Sequence, residues 1–98
     1  MYGTIARLRL KPGMEARIQA EMDQFESQDV PGFVSTTIYR SDSDPNELFM
    51  VVMFDSREAY RANAESPGQN DRYLKLLEIL DGVPEWHDGE IIHQIRSA

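Results

Sequence analysis

The hydrophobic pattern along the chain changes period several times, and each change marks the border of a predicted element. From Tyr2 to Lys11 apolar and basic residues alternate, which predicts a strand with one apolar and one basic face. Proline and glycine in "KPG" at 11–13 interrupt this alternation and predict a turn. Apolar residues then recur at helical spacing, at Met14, Ile18, Met22 and Phe25. An amphipathic helix is therefore expected, ending before "DVPG" at 29–32.

The middle of the chain has the pattern of a hairpin that leads into a second helix. Phe33–Arg40 is rich in β-branched and aromatic residues, and the polar residues of 41–47 predict the hairpin loop. Leu48–Phe54 is apolar at every position, so it predicts a central strand that is covered on both faces. Asp55, with Glu58 three residues later, predicts the capping box of a helix that stops near "ESPG" at 65–68.

A third helix and a last strand complete the pattern. Ser66 and Pro67 predict the cap and first residue of a helix whose apolar stripe is Tyr73, Leu77 and Leu80, and Asp81-Gly82 is expected to end it. The stretch 85–95 predicts a fourth strand at the edge of the sheet, beside the first. The order β-α-β-β-α-α-β predicts one domain, 1–98, with an α+β, ferredoxin-like split-βαβ sandwich and an antiparallel sheet.

Composition narrows the classes of function. The 98 residues include 17 acidic and 10 basic side chains, for a net charge of −7, so neither nucleic acid nor a membrane surface is an expected partner. The absence of cysteine excludes disulfides, thiolate metal sites and cysteine nucleophiles. No signal peptide and no apolar run of roughly 20 residues is visible. A cytoplasmic protein is expected.

The third predicted strand also bears on assembly. Helices in this architecture cover one face of the sheet, yet Leu48–Phe54 is apolar on both. Leaving the second face in water costs about 25 cal/mol per Å² of apolar surface. The sequence therefore predicts a homodimer in which a partner sheet covers that face.

Several segments together carry a family resemblance: "KPGMEA" at the first helix, "FDSREAY" from Phe54 to Tyr60, Ser66-Pro67, and "PEWHDGE" at 84–90. Over nearly its whole length the chain resembles the antibiotic-biosynthesis-monooxygenase-like superfamily of dimeric α/β-barrel proteins. The resemblance implies two sheets packed into a barrel and a pocket between sheet and helices in each subunit. It also implies cofactor-free oxidation of an aromatic or quinol substrate by O₂.

The chain departs from that family at informative positions. Phe54 stands where members commonly have tryptophan at the end of strand three, and Asn63 stands roughly where many have histidine. The haem-degrading branch uses an asparagine in the first strand and a histidine and tryptophan in the helical region. The first strand here has no asparagine, and 55–82 has neither histidine nor tryptophan. Haem degradation is therefore disfavoured.

His87 is the candidate acid or base, because imidazole titrates near neutral pH and can accept a proton from a phenol or quinol. Trp86 precedes it and would point to the opposite side of a regular strand. One of the two is expected to reach the pocket, and we predict that it is His87, with Trp86 as a candidate substrate contact. The alternative is a packing tryptophan and a histidine at a strand end or dimer interface.

The other candidate residues lie on the two later helices and the third strand. Tyr60 and Tyr73 can orient a substrate oxygen and stack on an aromatic ring, so they are candidate catalytic residues. Asn63 and Arg72 can bind a carbonyl or phenolate, and Phe54 completes the candidate substrate-binding set. Packing of the tyrosines and solvent exposure of the polar pair are the alternatives.

No metal or cofactor is expected. His93 lies six residues after His87, about 20 Å away at the rise of a strand, so the two histidines of one chain cannot share an ion. Two hypotheses remain open at the level of sequence. The first is a cofactor-independent monooxygenase-like enzyme acting on a small aromatic or quinol. The second is a dimeric accessory or small-molecule-binding protein without turnover.

Overall fold

The chain folds as an antiparallel sheet with its helices packed on one face. The computed structural model describes residues 1–26 and 28–97. The elements are β1 Tyr2–Arg9, α1 Glu15–Glu26, β2 Phe33–Arg40, β3 Glu47–Phe54, α2 Arg57–Ala64, α3 Pro67–Ile79 and β4 Glu85–Glu90. The strands lie in the order β2-β3-β1-β4, and neighbours run antiparallel. The predicted α+β ferredoxin-like fold is confirmed, and the sheet of the single chain is not closed.

The core lies between the sheet and the helices. Strand β1 shows the predicted alternation, because Ala6 and Leu8 are buried while Arg7 and Arg9 are exposed. Strand β3 lies between β2 and β1, as its apolar sequence predicts. The buried cluster draws on both layers and consists of Ala6, Leu8, Leu10, Ile18, Leu48, Met50, Leu76, Ile79 and Leu80.

The second helix begins one residue later than predicted. Ser56, not Asp55, is its N-cap, and the Ser56 hydroxyl accepts a hydrogen bond from the backbone N–H of Ala59 at 3.1 Å. The backbone N–H of Asp55 instead donates to the Gly32 carbonyl at 2.8 Å, which fixes Asp55 to the loop before β2. The predicted Asp55–Glu58 capping box was therefore wrong. The prediction of Ser66 and Pro67 at the start of α3 is confirmed.

The third helix differs from its prediction in its buried stripe and its end. Leu76 and Ile79 are buried, whereas Leu77 is only partly so. The helix ends at Ile79, because Leu80 is extended and forms a bridge with Leu10. Pairing with the end of the first strand thus stops the helix two residues before Asp81.

The last strand lies at the predicted edge, beside β1, but it is shorter than the predicted 85–95. Its final residue, Glu90, is paired with Tyr2. The Ile91 N–H donates to the Met1 carbonyl at 2.9 Å, just beyond the last pair of the ladder. Residues 91–97 have no regular secondary structure. His93 therefore lies beyond β4, and strand geometry does not set its distance from His87.

The face of the sheet opposite the helices is covered by no helix or strand in the single chain, although Gln94 Nε2 donates to Met53 Sδ there at 3.6 Å. Ile5, Val51 and His87 are aligned across it by the register of β3, β1 and β4. Ile5 is 51% exposed, and Val51 is only partly buried. We call this surface, which also carries Phe49 and Met53, the open face.

Among the described residues, no helix has the length and apolar character needed to cross a membrane.

Candidate functional site

A cavity of about 430 Å³ lies between the helices and the side of the sheet that they cover. Its size is within the usual range of small-molecule sites, roughly 300–1,000 Å³. The strands contribute alternate residues, since side chains two apart along a strand share a face. The lining side chains from the sheet are Thr4, Thr36, Met50, Val52, Phe54, Trp86 and Asp88. Those from the helices include Glu21, Met22, Phe25, Tyr60, Asn63, Gln69, Arg72, Tyr73 and Leu76.

Aromatic rings form much of the cavity wall. Phe54 is 1% exposed and contacts Tyr60 edge-on, with ring centroids 5.6 Å apart. Tyr73 and Trp86 face each other at 6.4 Å between centroids. These are the tilted and edge-to-face arrangements that aromatic pairs prefer. The wall is suited to hold a flat, largely apolar molecule.

Tyr60 and Asp88 form the polar group at one side of the cavity. The Tyr60 hydroxyl donates to Asp88 Oδ1 at 2.8 Å. Burial, together with the Asp88 hydrogen bond and its negative charge, raises the pKa of Tyr60 to about 12. Tyr60 is therefore a neutral phenol near pH 7 and acts as a hydrogen-bond donor there.

Thr4 lies beside this pair and opposite Asp88 in the β1–β4 register. Its side chain is 4% exposed, and its hydroxyl has no hydrogen-bond partner among the described residues. The hydroxyl opposes the rise in the pKa of Tyr60, but it does not reach hydrogen-bonding geometry with the phenol. A buried hydroxyl without a partner is uncommon in native proteins.

Arg72 forms a second polar group, on the helical side of the cavity. Its guanidinium is held by neutral amide oxygens: Gln69 Oε1 at 3.0 and 3.2 Å, Asn63 Oδ1 at 3.1 Å, and Gln28 Oε1. The guanidinium carbon lies 5.0 Å from the centre of the Phe25 ring. Burial lowers the pKa of Arg72, although guanidinium stays charged in proteins. No carboxylate among the described residues forms an ion pair with it.

The structure brings most of the predicted site residues together. Six of them line this one cavity: Phe54, Tyr60, Asn63, Arg72, Tyr73 and Trp86. Whether any of them is catalytic stays a prediction.

His87 lies on the other side of the sheet. Trp86 is paired with the buried Ala6, and His87 with Ile5 on the open face, because β4 pairs with β1 in regular register. His87 Nε2 is 3.1 Å from Glu85 Oε1, and it does not line the cavity. The prediction that one of the two neighbours would reach the pocket is confirmed, but the choice of His87 was wrong.

Among the residues that sequence reasoning missed are Asp88 and Thr4, which lie beside Tyr60. Asp88 follows Trp86 by two positions, so once Trp86 is placed in the pocket the period of the strand places Asp88 there too. Thr4 occupies the same face of β1 as the buried Ala6. The signal for both residues is the alternation of side chains along β1 and β4. A prediction based on side chains that titrate near neutral pH does not use this alternation.

Among the described residues, no group of three or more histidine, aspartate or glutamate side chains is arranged to hold a metal ion.

Comparison with known proteins identifies relatives of this arrangement. The family model described as "Antibiotic biosynthesis monooxygenase" matches residues 1–78. The fold is similar to that of SnoaB, a cofactor-independent oxygenase from Streptomyces nogalater, with a TM-score of 0.80 and 16% identity over 98% of this chain and 97% of that one. It is also similar to Rv0793 from Mycobacterium tuberculosis, with a TM-score of 0.77 and 20% identity over 97% and 98% of the two chains. No curated protein matches the chain significantly.

Proposed function

Because the chain belongs to the antibiotic biosynthesis monooxygenase family, we propose that it is a cofactor-independent monooxygenase-like protein that acts on a small aromatic or quinol substrate with O₂. One observation carries this proposal. A cavity with aromatic walls holds a hydrogen-bonded Tyr60–Asp88 pair and Arg72, which forms no ion pair within 1–26 and 28–97. SnoaB, a cofactor-independent oxygenase, supports it through the shared fold.

The proposed chemistry needs a proton acceptor and a group that stabilises an oxyanion. The Asp88 carboxylate is the acceptor nearest to Tyr60, and Tyr60 can pass a substrate proton to it. Tyr60 does not serve as the base in ionised form near neutral pH, because its pKa is raised to about 12. The oxyanion that remains would keep a hydrogen bond from the Tyr60 hydroxyl and would transfer an electron to O₂, which becomes superoxide, while Arg72 would hold the other end of the substrate.

We further propose that two chains associate through their open faces, with β3 at the centre of the interface. Exposed apolar surface supports this arrangement, since Ile5 of β1 is 51% and Tyr39 of β2 is 55% exposed. Tyr39 stacks on Phe49 with ring centroids 5.8 Å apart, which extends the apolar surface to the edge strand β2. Pairing two such faces would build the α/β barrel that the resemblance implies.

Binding without turnover is the second candidate function. No histidine stands among the described residues that line the cavity, and the Tyr60 phenol stays protonated near neutral pH. A pocket without a base that titrates near pH 7 is suited to hold an aromatic ligand unchanged.

Oxygen consumption with 1,4-naphthohydroquinone distinguishes the two functions. The control is a matched pair of variants on α2: Ala64 and Ala62 are both exposed, but only Ala64 lines the cavity. We expect the wild-type protein and Ala62→Phe to consume O₂ faster than the uncatalysed reaction, and Ala64→Phe to lose this activity because the ring fills the cavity. Calorimetric binding of the naphthohydroquinone without faster O₂ consumption would support the binding function instead.

A further inference from the structure

The polar side chains of the cavity differ in what they offer a ligand. Among the described residues that line it, Arg72 is the one cation, and Glu21 and Asp88 are the two acids. Arg72 belongs to α3, whereas Asp88 is fixed at β4 through its bond with Tyr60. A ligand that spans from helix α3 to strand β4 meets a positive group at one end and a negative group at the other.

The end of the cavity near Arg72 favours a ligand group that is anionic and accepts hydrogen bonds. Three of the five guanidinium N–H groups contact the amides of Gln69 and Asn63, and one contacts Gln28, which leaves one donor without a described partner. Neutral amides orient the guanidinium without cancelling its charge. The remaining N–H can donate one charge-assisted hydrogen bond, and the uncancelled positive charge favours a carboxylate as its acceptor. The chain as a whole carries a charge of −7, so attraction for an anion at this place is local to Arg72.

The end of the cavity near Asp88 favours a ligand group that is neutral and donates a hydrogen bond. Asp88 Oδ1 accepts from Tyr60, while Oδ2 has no described partner and can accept a second hydrogen bond. A carboxylate ligand is repelled here by Asp88, whereas a hydroxyl can donate to it. The Thr4 hydroxyl is buried beside the pair and has no hydrogen-bond partner in the described part of the chain, so a ligand oxygen could accept from it. A phenolic hydroxyl can donate to the carboxylate and accept from the threonine at once.

We propose that the cavity selects a hydroxylated aromatic carboxylic acid, with the carboxylate on Arg72 and the hydroxyl on Asp88. This inference rests on the proposed aromatic-binding function and deepens it, because it states which substituents the ligand carries and which end of the cavity takes each. The rings of Tyr73 and Trp86 lie along the same cavity and flank the aromatic body.

Four naphthalenes of one ring frame test the proposal by isothermal titration calorimetry at neutral pH. They are 6-hydroxy-2-naphthoate, 6-methoxy-2-naphthoate, 2-naphthoate and 2-naphthol. We expect 6-hydroxy-2-naphthoate to bind the wild-type protein at least about tenfold more tightly than each of the others, the gain of one well-placed charge-assisted hydrogen bond. The methoxy compound keeps the shape but cannot donate to Asp88.

Variants at the two ends should give opposite patterns. Arg72→Gln should weaken 6-hydroxy-2-naphthoate about tenfold or more and leave 2-naphthol unchanged, and Arg72→Lys should restore part of the loss. Asp88→Asn should abolish the preference for the hydroxy over the methoxy compound and leave 2-naphthoate unchanged. The matched controls are Arg61→Gln and Glu90→Gln, which alter exposed residues that do not line the cavity. Thermal melts of all variants identify any that lose the fold. If Arg72→Gln does not fold, Arg72→Lys tests the Arg72 end of the cavity instead.

Equal affinity of the wild-type protein for all four compounds would overturn the proposal and leave the aromatic-binding function standing. So would variants that weaken every compound alike. If no naphthalene binds at all, both the selection and the aromatic-binding function are wrong.

Discussion

At the scale of the residue, Tyr60 shows how the fold changes the chemistry of a common side chain. Its ring packs between Phe54 and Tyr2, with centroids 5.6 and 5.3 Å away, and its hydroxyl donates to Asp88. Burial and the neighbouring carboxylate both disfavour the phenolate, so the proton is held more tightly than in water. The residue can donate and relay a proton at neutral pH without losing its own.

The titration of Tyr60 gives the first prediction. The difference in phenolate absorbance between the wild-type protein and Tyr60→Phe reports the titration of Tyr60, and it should give a pKa of about 12. In Asp88→Asn this pKa should fall towards 10.0. Because the native protein keeps this proton after an unfolded tyrosine has lost it, the free energy of unfolding should decrease as the pH rises from about 10 to about 12. Below pH ~10 the contribution of Tyr60 is constant. A Tyr60 that titrates at 10.0 in the folded protein would contradict the site described here.

At the scale of the element, the capping of α2 shows where sequence patterns leave a choice. Asp55 and Ser56 are adjacent and both are good N-cap residues. Glu58 stands three residues after Asp55 and favours that choice from sequence. The structure selects Ser56, because the Asp55 N–H is committed to the Gly32 carbonyl.

This choice predicts unequal effects of two neighbouring substitutions. Ser56→Ala should lower the free energy of unfolding by about 1 kcal/mol, since the Ala59 N–H loses its acceptor. Asp55→Ala is the matched control and should have the smaller effect, because its N–H bond to Gly32 survives the substitution. Urea denaturation of both variants measures the difference. A larger loss in Asp55→Ala would mean that the helix begins at Asp55 after all.

Helices and strands were predictable from sequence wherever the hydrophobic period was strong. Their ends, and the faces that some residues occupy, depend on contacts between distant segments. The alternation in β1 and the apolar run of β3 indicated their positions in the sheet. The length of β4 was not predictable, because it depends on the register with β1: Glu90, its last residue, pairs with Tyr2, the first residue of β1. The period of β4 separated Trp86 from His87, but only the register with β1 showed which one faces the helices.

At the scale of the whole molecule, the two faces of the sheet have different environments. The helices cover one face and leave the cavity beneath them, while the open face exposes apolar side chains to solvent in the single chain. Burial of that second face in a dimer would place the proposed interface on the side of the sheet opposite to the cavity. Assembly and ligand binding can therefore be altered separately by substitution.

The dimer is tested by a charge on the open face. Light scattering of the wild-type protein at micromolar concentration should give twice the chain mass of 11.3 kDa, and Val51→Glu should give the chain mass itself with its secondary structure retained. A buried, unpaired carboxylate in the interface costs several kcal/mol, which is enough to separate the subunits. Val83→Glu is the control, because Val83 is exposed in the loop before β4. A wild-type mass of 11.3 kDa would exclude the proposed dimer.

We propose that the aromatic ligand binds on the helix side of the sheet, in the cavity that Trp86 lines, and not on the face that carries His87. Trp86 is the single tryptophan of the chain, so its fluorescence reports on this cavity alone. Titration with 1,4-naphthoquinone should quench it saturably in the wild-type protein, in His87→Ala and in Ala62→Phe, and should lose saturation in Ala64→Phe. Saturable quenching that survives in Ala64→Phe but disappears in His87→Ala would mean that the ligand binds on the open face instead.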